Sequence, residues 1–263
     1  MNKEEYSMSR ENLTNNTLVD REYMNADRAC PFQCKYCFAK WKMKLPKTVD
    51  IHEGSHTVVL YPLCDSELCS QDIHELEHII QEYIKNNLND KKLIVSISTK
   101  DKEFTNYIPI LNRIQKTVSL TGGFVKLGIS FTNINYEYLE EGTATFEERI
   151  NLLRMLSEYE FKLSAVIKPL LPFVTLDEYK EIIKQSDVDK YLLGGLYVEE
   201  GSEFYNLYIK GKFKVTHRPV AWLNDEKYLY VESDETQTEL IHFIKSIGKN
   251  AYSSDIEMIK SWL

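Results

Sequence analysis

An α/β fold is what this sequence predicts: a partial (β/α)6 TIM-type barrel carrying a small α+β cap toward its C-terminus. Three observations carry the prediction. After a polar N-terminal arm, short apolar segments alternate with longer amphipathic ones. The unit recurs five or six times, and the alternation weakens beyond Glu200. Strand–helix alternation calls for parallel strands joined by right-handed crossovers. In a barrel of this kind the working side chains sit at the C-terminal ends of the strands.

Taken in order, a short first strand is expected to end just before Cys30. Strands follow at residues 57–63, 93–98, 124–131, 162–167 and 191–198. Between them, helical periodicity covers 72–87, 102–116, 146–159 and 176–185. The third helix has a marked start, because Thr145 as N-cap and Glu148 three residues on form a capping box. Beyond Glu200, a linker at 211–224 carrying His217, Arg218, Pro219 and Trp222 leads to a strand at Tyr228–Val231 and helices at 235–247 and 255–262. The expected division is an arm over 1–24, a barrel over 25–200 and a cap over 201–263. There is no internal repeat or low-complexity tract.

The 263 residues suffice for one sizeable domain with a small appendage. A charged fraction of 27% and a hydrophobic fraction of 43% are ordinary for a globular protein. No apolar run approaches the roughly 18 residues needed to span a bilayer. The first residues are polar and include acids, which fits neither a secretory nor an organellar signal, so a cytoplasmic, reducing location is expected. A net charge of −8 leans against nonspecific nucleic-acid binding. Local lysine clusters (Lys35, Lys40, Lys42, Lys44 and Lys47; Lys210, Lys212 and Lys214 with Arg218) leave room for a basic cleft on an acidic body.

The most informative feature is CPFQCKYC, which places Cys30, Cys34 and Cys37 within eight residues. A C-x3-C-x2-C loop offers three thiolates to one cubane. A [4Fe–4S] cluster takes four cysteine ligands, so one iron is left open to a small molecule. Zinc sites favour four Cys/His ligands in two close pairs, whereas here Cys64 and Cys69 are distant. An odd total of five cysteines with no secretory signal argues against disulfides.

A second motif competes: HELEH at 74–78 matches the H-E-x-x-H zinc-protease pattern on a helix. At about 100° per residue, His74 and His78 fall roughly 140–180° from the apolar stripe of Ile73, Leu76, Ile80, Tyr83 and Ile84. They are expected to face solvent, and no third ligand stands out downstream.

The cysteine loop, with Tyr36 and Phe38 flanking its last cysteine, resembles the radical S-adenosylmethionine (SAM) signature. The segment LEEGTATFEER at 139–149, the following helix and FKLSAVIKP at 161–169 resemble the spore photoproduct lyase branch of that superfamily. YPLCDSE at 61–67 is similar to the family segment carrying a cysteine before a long helix, and KYLY at 227–230 is loosely similar to the lyase C-terminus. The resemblance covers about residues 25–255 in patches. It implies a radical SAM partial barrel in which the open iron chelates SAM. Reductive cleavage then gives a 5′-deoxyadenosyl radical that abstracts hydrogen from a substrate.

Further expectations follow from the resemblance. Lys100 and Ser130, at the ends of the third and fourth expected strands, match positions that contact SAM, and Tyr36 packs beside its adenine. Cys64 matches the cysteine that returns a hydrogen atom to the product radical, while Cys69 is structural. A flavodoxin or ferredoxin serves as electron donor, and the substrate is a nucleotide or nucleic acid. The chain departs from the family at RPVAWLND, residues 218–225, where the lyase is richer in arginine and aromatics. A radical enzyme acting on a peptide or small metabolite, favoured by the acidic charge, and a non-catalytic iron–sulfur sensor stay open.

Overall fold

The strands, in chain order, are β1 (Val19–Tyr23), β2 (Gln33–Cys34), β3 (Thr48–Val49), β4 (Thr57–Tyr61), β5 (Lys92–Thr99), β6 (Phe124–Ser130), β7 (Glu140–Glu141), β8 (Lys162–Leu170), β9 (Lys190–Glu199), β10 (Val215–Thr216), β11 (Tyr228–Val231) and β12 (Asn250–Tyr252). The helices are α1 (Ser70–Asn87), α2 (Ile108–Ser119), α3 (Phe146–Leu156), α4 (Leu176–Ser186), α5 (Asp234–Ser246) and α6 (Asp255–Lys260). This is a computed structural model, and it describes residues 19–23, 32–37, 48–49, 56–61, 70–87, 91–218 and 228–263.

β1, β4, β5, β6, β8 and β9 are parallel neighbours in that order, the arrangement expected of a partial (β/α)6 barrel. Among the described residues the sheet does not close. At one edge β3 pairs antiparallel with β1. At the other, β9 pairs parallel with β12 through its first residues and antiparallel with β11 through its last, and β10 continues beyond β11. The segment after Glu200 therefore adds strands to the same sheet.

Because strand side chains alternate between faces, each strand feeds two cores. Leu93, Val95 and Ile97 of β5 and Val125, Leu127 and Ile129 of β6 pack with Leu76 and Ile80 of α1 and Leu111, Ile114 and Val118 of α2. The opposite, concave face carries Val19, Val59, Ile94 and Phe124, which pack with Ile259 of α6, while Val166 and Leu192 pack with Met258 of the same helix. Helices α1 and α2 thus cover the outer face, and the short C-terminal helix plugs the inner one.

The plug is held by charge as well as apolar contact. Lys126, fully buried on the inner face, donates to Asp255 Oδ1 at 2.7 Å. Tyr61 Oη and Ser96 Oγ donate to Asp255 Oδ2 at 2.9 and 3.1 Å. Burial alone would raise the Asp255 carboxyl, but the Lys126 ammonium and the two hydroxyls outweigh it and hold the group below its ordinary range.

Several boundaries differ from the sequence expectation. β1 covers Val19–Tyr23, and residues 24–30, where the first strand was expected to end, lie outside the described residues. The second helix opens as a 3-10 turn (Phe104–Tyr107) and becomes α only at Ile108, because Pro109 lacks an N–H and fits just the first helical turn. β8 runs three residues past its expected end, through Lys168-Pro169. The capping box at Thr145 and Glu148 is present as expected. On α1, Leu76 and Ile80 are buried and His78 is exposed, so the H-E-x-x-H histidine seen here faces away from the core. Among the described residues no helix is long and apolar enough to cross a membrane.

Candidate functional site

The site assembles where the parallel strands end. β2 and β7 form a small separate ladder in which Cys34 pairs with Glu140 and Gln33 with Glu141. Lys35 N–H donates to the Leu139 carbonyl at 2.8 Å, and Cys37 N–H closes a turn onto the Cys34 carbonyl at 3.1 Å. The cysteine loop is thereby stitched to the turn at 140–145. That turn needs Gly142, whose φ of +84° lies in the region open to glycine. The Ala144 N–H, bonded to the Lys100 carbonyl at 2.8 Å, ties the turn in addition to the end of β5.

One buried carboxylate organises the side chains. Glu140 Oε1 accepts from Lys100 Nζ at 2.5 Å, from Thr132 Oγ1 at 2.5 Å and from the Tyr36 hydroxyl. Lys100 also donates to the Tyr36 oxygen. Glu140 Oε2 accepts from Arg149 Nη2 at 2.6 Å. The guanidinium spends its other donors on the Ala144 carbonyl (2.9 Å), the Ser130 carbonyl (2.9 Å) and Thr143 Oγ1 (2.7 Å), so α3 is bound to β6 and to the turn. Burial would raise the Glu140 carboxyl, but Lys100 and Arg149 hold it far below its usual range. Burial first, then the Glu140 charge, push the Tyr36 hydroxyl well up, so it keeps its proton and acts as a donor.

The hydrogen-bond inventory balances. Tyr36 gives its proton to Glu140 and accepts from Lys100; Thr132 gives to Glu140 and accepts from Asn133 Nδ2 at 3.0 Å. Two cations face one anion, which leaves the cluster of side chains with a net positive charge. On its other edge the Tyr36 ring meets Phe204, which stacks on Tyr208 with centroids 4.9 Å apart.

Of the residues singled out from sequence, Cys34, Tyr36 and Lys100 come together here. Cys34 is buried and Cys37 half-buried. Ser130 ends β6 one strand away, and its carbonyl accepts from Arg149 Nη1 at 2.9 Å. Cys30 and Cys64 lie outside the described residues. Sequence reasoning missed the central part played by Glu140 and the contribution of Thr132. The available signal was a pair of cations, Lys100 and Arg149, that would each need an acid if buried.

No family model matches the chain, and no curated protein matches it in sequence. Solved structures do. A spore photoproduct lyase mutant superposes with a TM-score of 0.55 at 15% identity, over 90% of this chain and 75% of the lyase. The chain has the spore photoproduct lyase fold. Methylornithine synthase is also similar, with a TM-score of 0.48 at 13% identity over 75% of this chain and 59% of the synthase. So is the radical SAM methyltransferase TsrM from Kitasatospora setae, with a TM-score of 0.43 at 15% identity over 69% of this chain and 36% of the methyltransferase. Within the lyase fold described here, the cysteine loop and the turn at 140–145 meet at the C-terminal end of the sheet.

Proposed function

We propose that the chain is a radical SAM enzyme in which Cys30, Cys34 and Cys37 ligate a [4Fe–4S] cluster and Tyr36, Lys100 and Ser130 seat SAM. The observation that carries this reading is the seat of the cysteine loop, sewn by Cys34 to Glu140 at the C-terminal mouth of a parallel half barrel. The donor chemistry fits. Two sulfur atoms three residues apart on a tight turn, one buried and one half-buried, suit iron–sulfur ligation better than a hard cation. Cys30 completes the set from outside the described residues.

When bound, the cluster supplies the electron that splits SAM. The protein's residues do the rest. The net positive charge of Lys100, Arg149 and Glu140 suits the SAM carboxylate, and Lys100 is already oriented by Glu140 and Tyr36. Tyr36, immobilised at its hydroxyl, offers a fixed ring edge for an adenine. Cys64 is assigned the return of a hydrogen atom to the product radical on the family resemblance alone. The same resemblance supports a nucleobase-containing substrate and a flavodoxin or ferredoxin as reductant.

The test is anaerobic reconstitution with iron and sulfide, reduction, and mass spectrometry of SAM products. The expected result is about four irons per chain and 5′-deoxyadenosine formation that rises with added nucleotide. Cys34→Ala should lose most of the iron and at least about a hundredfold of the SAM cleavage, because removing a ligand leaves an incomplete donor set. Deuterium passing from a labelled peptide or metabolite into 5′-deoxyadenosine would favour the reading suggested by the acidic charge. Stable iron without any SAM cleavage would return the chain to a sensor role.

A further inference from the structure

Four strands of the half barrel bring a lysine to its concave side or rim, and three of the four are spoken for. Lys100 pairs with Glu140, and Lys126 with Asp255. Lys190 bonds the Ser261 hydroxyl and lies 4.7 Å from the Trp262 ring centroid. Lys168 differs. It is exposed, and among the described residues its ammonium has no hydrogen bond or ion pair.

Its position is nonetheless built. Lys168 follows Ser164 and Val166 on one face of β8, and Val166 packs inward against Leu192 and Met258. It therefore stands above Val166 at the C-terminal, mouth end of the sheet. The neighbouring strand makes room for it. A Cβ on Gly194 would lie 2.8, 2.9 and 3.1 Å from Lys168 Cδ, Cγ and Cε, so the stem of the lysine lies flat on the bare backbone there. A Cβ on Gly195 would lie 2.3 to 2.6 Å from the Tyr230 ring and hydroxyl, so the phenol rests on the next residue of the same strand. Because consecutive strand residues face opposite ways, Gly194 makes room for the lysine stem on the concave face and Gly195 for the phenol on the outer face. The floor is filled: at Gly128, one row below Ser130, a Cβ would meet Val166, Ser98 and Lys126 at 2.8 to 3.2 Å. On the outer face, Arg218 lies over the Tyr230 ring at 4.0 Å and is neutralised by Asp234 at 2.7 Å.

The geometry points to Lys168 as the oxyanion-binding residue of the substrate pocket, taking a phosphate or carboxylate group at the mouth of the half barrel. A lysine whose stem is laid down by packing loses less freedom on binding, and its charge is not spent on an internal acid. The identity of the occupant rests on the proposed function, under which the oxyanion is the phosphate of a nucleotide.

The experiment measures binding, not turnover, on the reconstituted full-length protein with SAM present. Thymidine 5′-monophosphate, thymidine and succinate are titrated by equilibrium dialysis into wild type, Lys168→Gln, Lys168→Arg and Gly194→Ala. Thymidine 5′-monophosphate is expected to bind about tenfold tighter than thymidine, the usual worth of a charge-assisted hydrogen bond. Lys168→Gln should erase that advantage and Lys168→Arg should keep most of it. Gly194→Ala, which retains the charge but displaces the stem, should lose several-fold. Binding of succinate alone, lost in Lys168→Gln, would uphold the oxyanion site with a carboxylate occupant and remove the nucleotide reading. Equal binding of every anion by wild type and Lys168→Gln, or no anion binding by wild type, overturns the site. SAM cleavage by the same wild-type sample tests the radical reading independently. Lys168 is exposed, so unchanged melting of its variants separates lost binding from lost fold.

Discussion

Two ion-paired carboxylates stand at opposite ends of this half barrel, Asp255 half-buried and Glu140 buried, and they do different work. Asp255 at the plugged end meets one lysine and two hydroxyls, so its charge is cancelled and the ensemble is neutral. Glu140 at the mouth meets a lysine, an arginine, a tyrosine and a threonine, and one positive charge is left over. The first closes a floor; the second fixes the cysteine loop and leaves a net positive charge at the mouth. Ion pairing to a lysine is common to the two ends, and the charge balance and the backbone ladder to Cys34 distinguish them.

The sharpest way to break the comparison is to remove each acid. Glu140→Ala strands Lys100 and Arg149 and should cost about 3–5 kcal/mol, the range for orphaning a buried charge. It should also release the cysteine loop, so iron per chain falls with stability. Asp255→Ala strands only Lys126 and should cost about 3 kcal/mol while iron content stays near wild type. Denaturant midpoints and iron analysis on the same samples separate the two.

A milder test replaces whole pairs. Lys126→Met with Asp255→Leu should recover most of the loss of Asp255→Ala, since apolar replacement of a buried pair is often neutral. An apolar pair in place of Lys100 and Glu140 still leaves Arg149 without its acid, so it should recover less stability and should lose iron and SAM cleavage. Equal iron in both double variants would mean that the mouth network, like the floor, only supports the fold.

Acid titration probes both ends at once. Both carboxyls sit below their unfolded values in the native state. Their contribution is complete above the unfolded pKa of about 4 and is lost as pH falls below it toward the folded values. Urea midpoints should hold from pH 7 to about 5 and drop below about 4, with a shallower drop in Glu140→Gln because one of the two linked protons is gone. The smallest expected effect is at the α3 cap: Thr145→Ala should cost about 1 kcal/mol by thermal melting, with iron unchanged.

How much was legible beforehand follows the range of the forces involved. Period-2 and period-3.6 patterns act over a few residues, so five long parallel strands and the main helices could be read from the chain. The C-x3-C-x2-C spacing is equally local. Glu140 was not legible as an organiser, since its partners Tyr36, Lys100, Thr132 and Arg149 come from four separate elements and their convergence depends on the tertiary fold. β12, with three residues, carries too little pattern to stand out. The fit of Lys168 over Gly194 depends on which face of β8 turns inward next to the irregularity between Ile167 and Leu170, which no local signal records.

The ladder between Cys34 and Glu140 has a consequence for how the protein matures. During synthesis the thiols leave the ribosome early, whereas the turn that receives them and the arginine that braces it are made more than a hundred residues later. Seating of the loop is therefore a late, long-range event, and under the proposed function cluster insertion would follow completion of the β6–α3 region rather than the appearance of the cysteines.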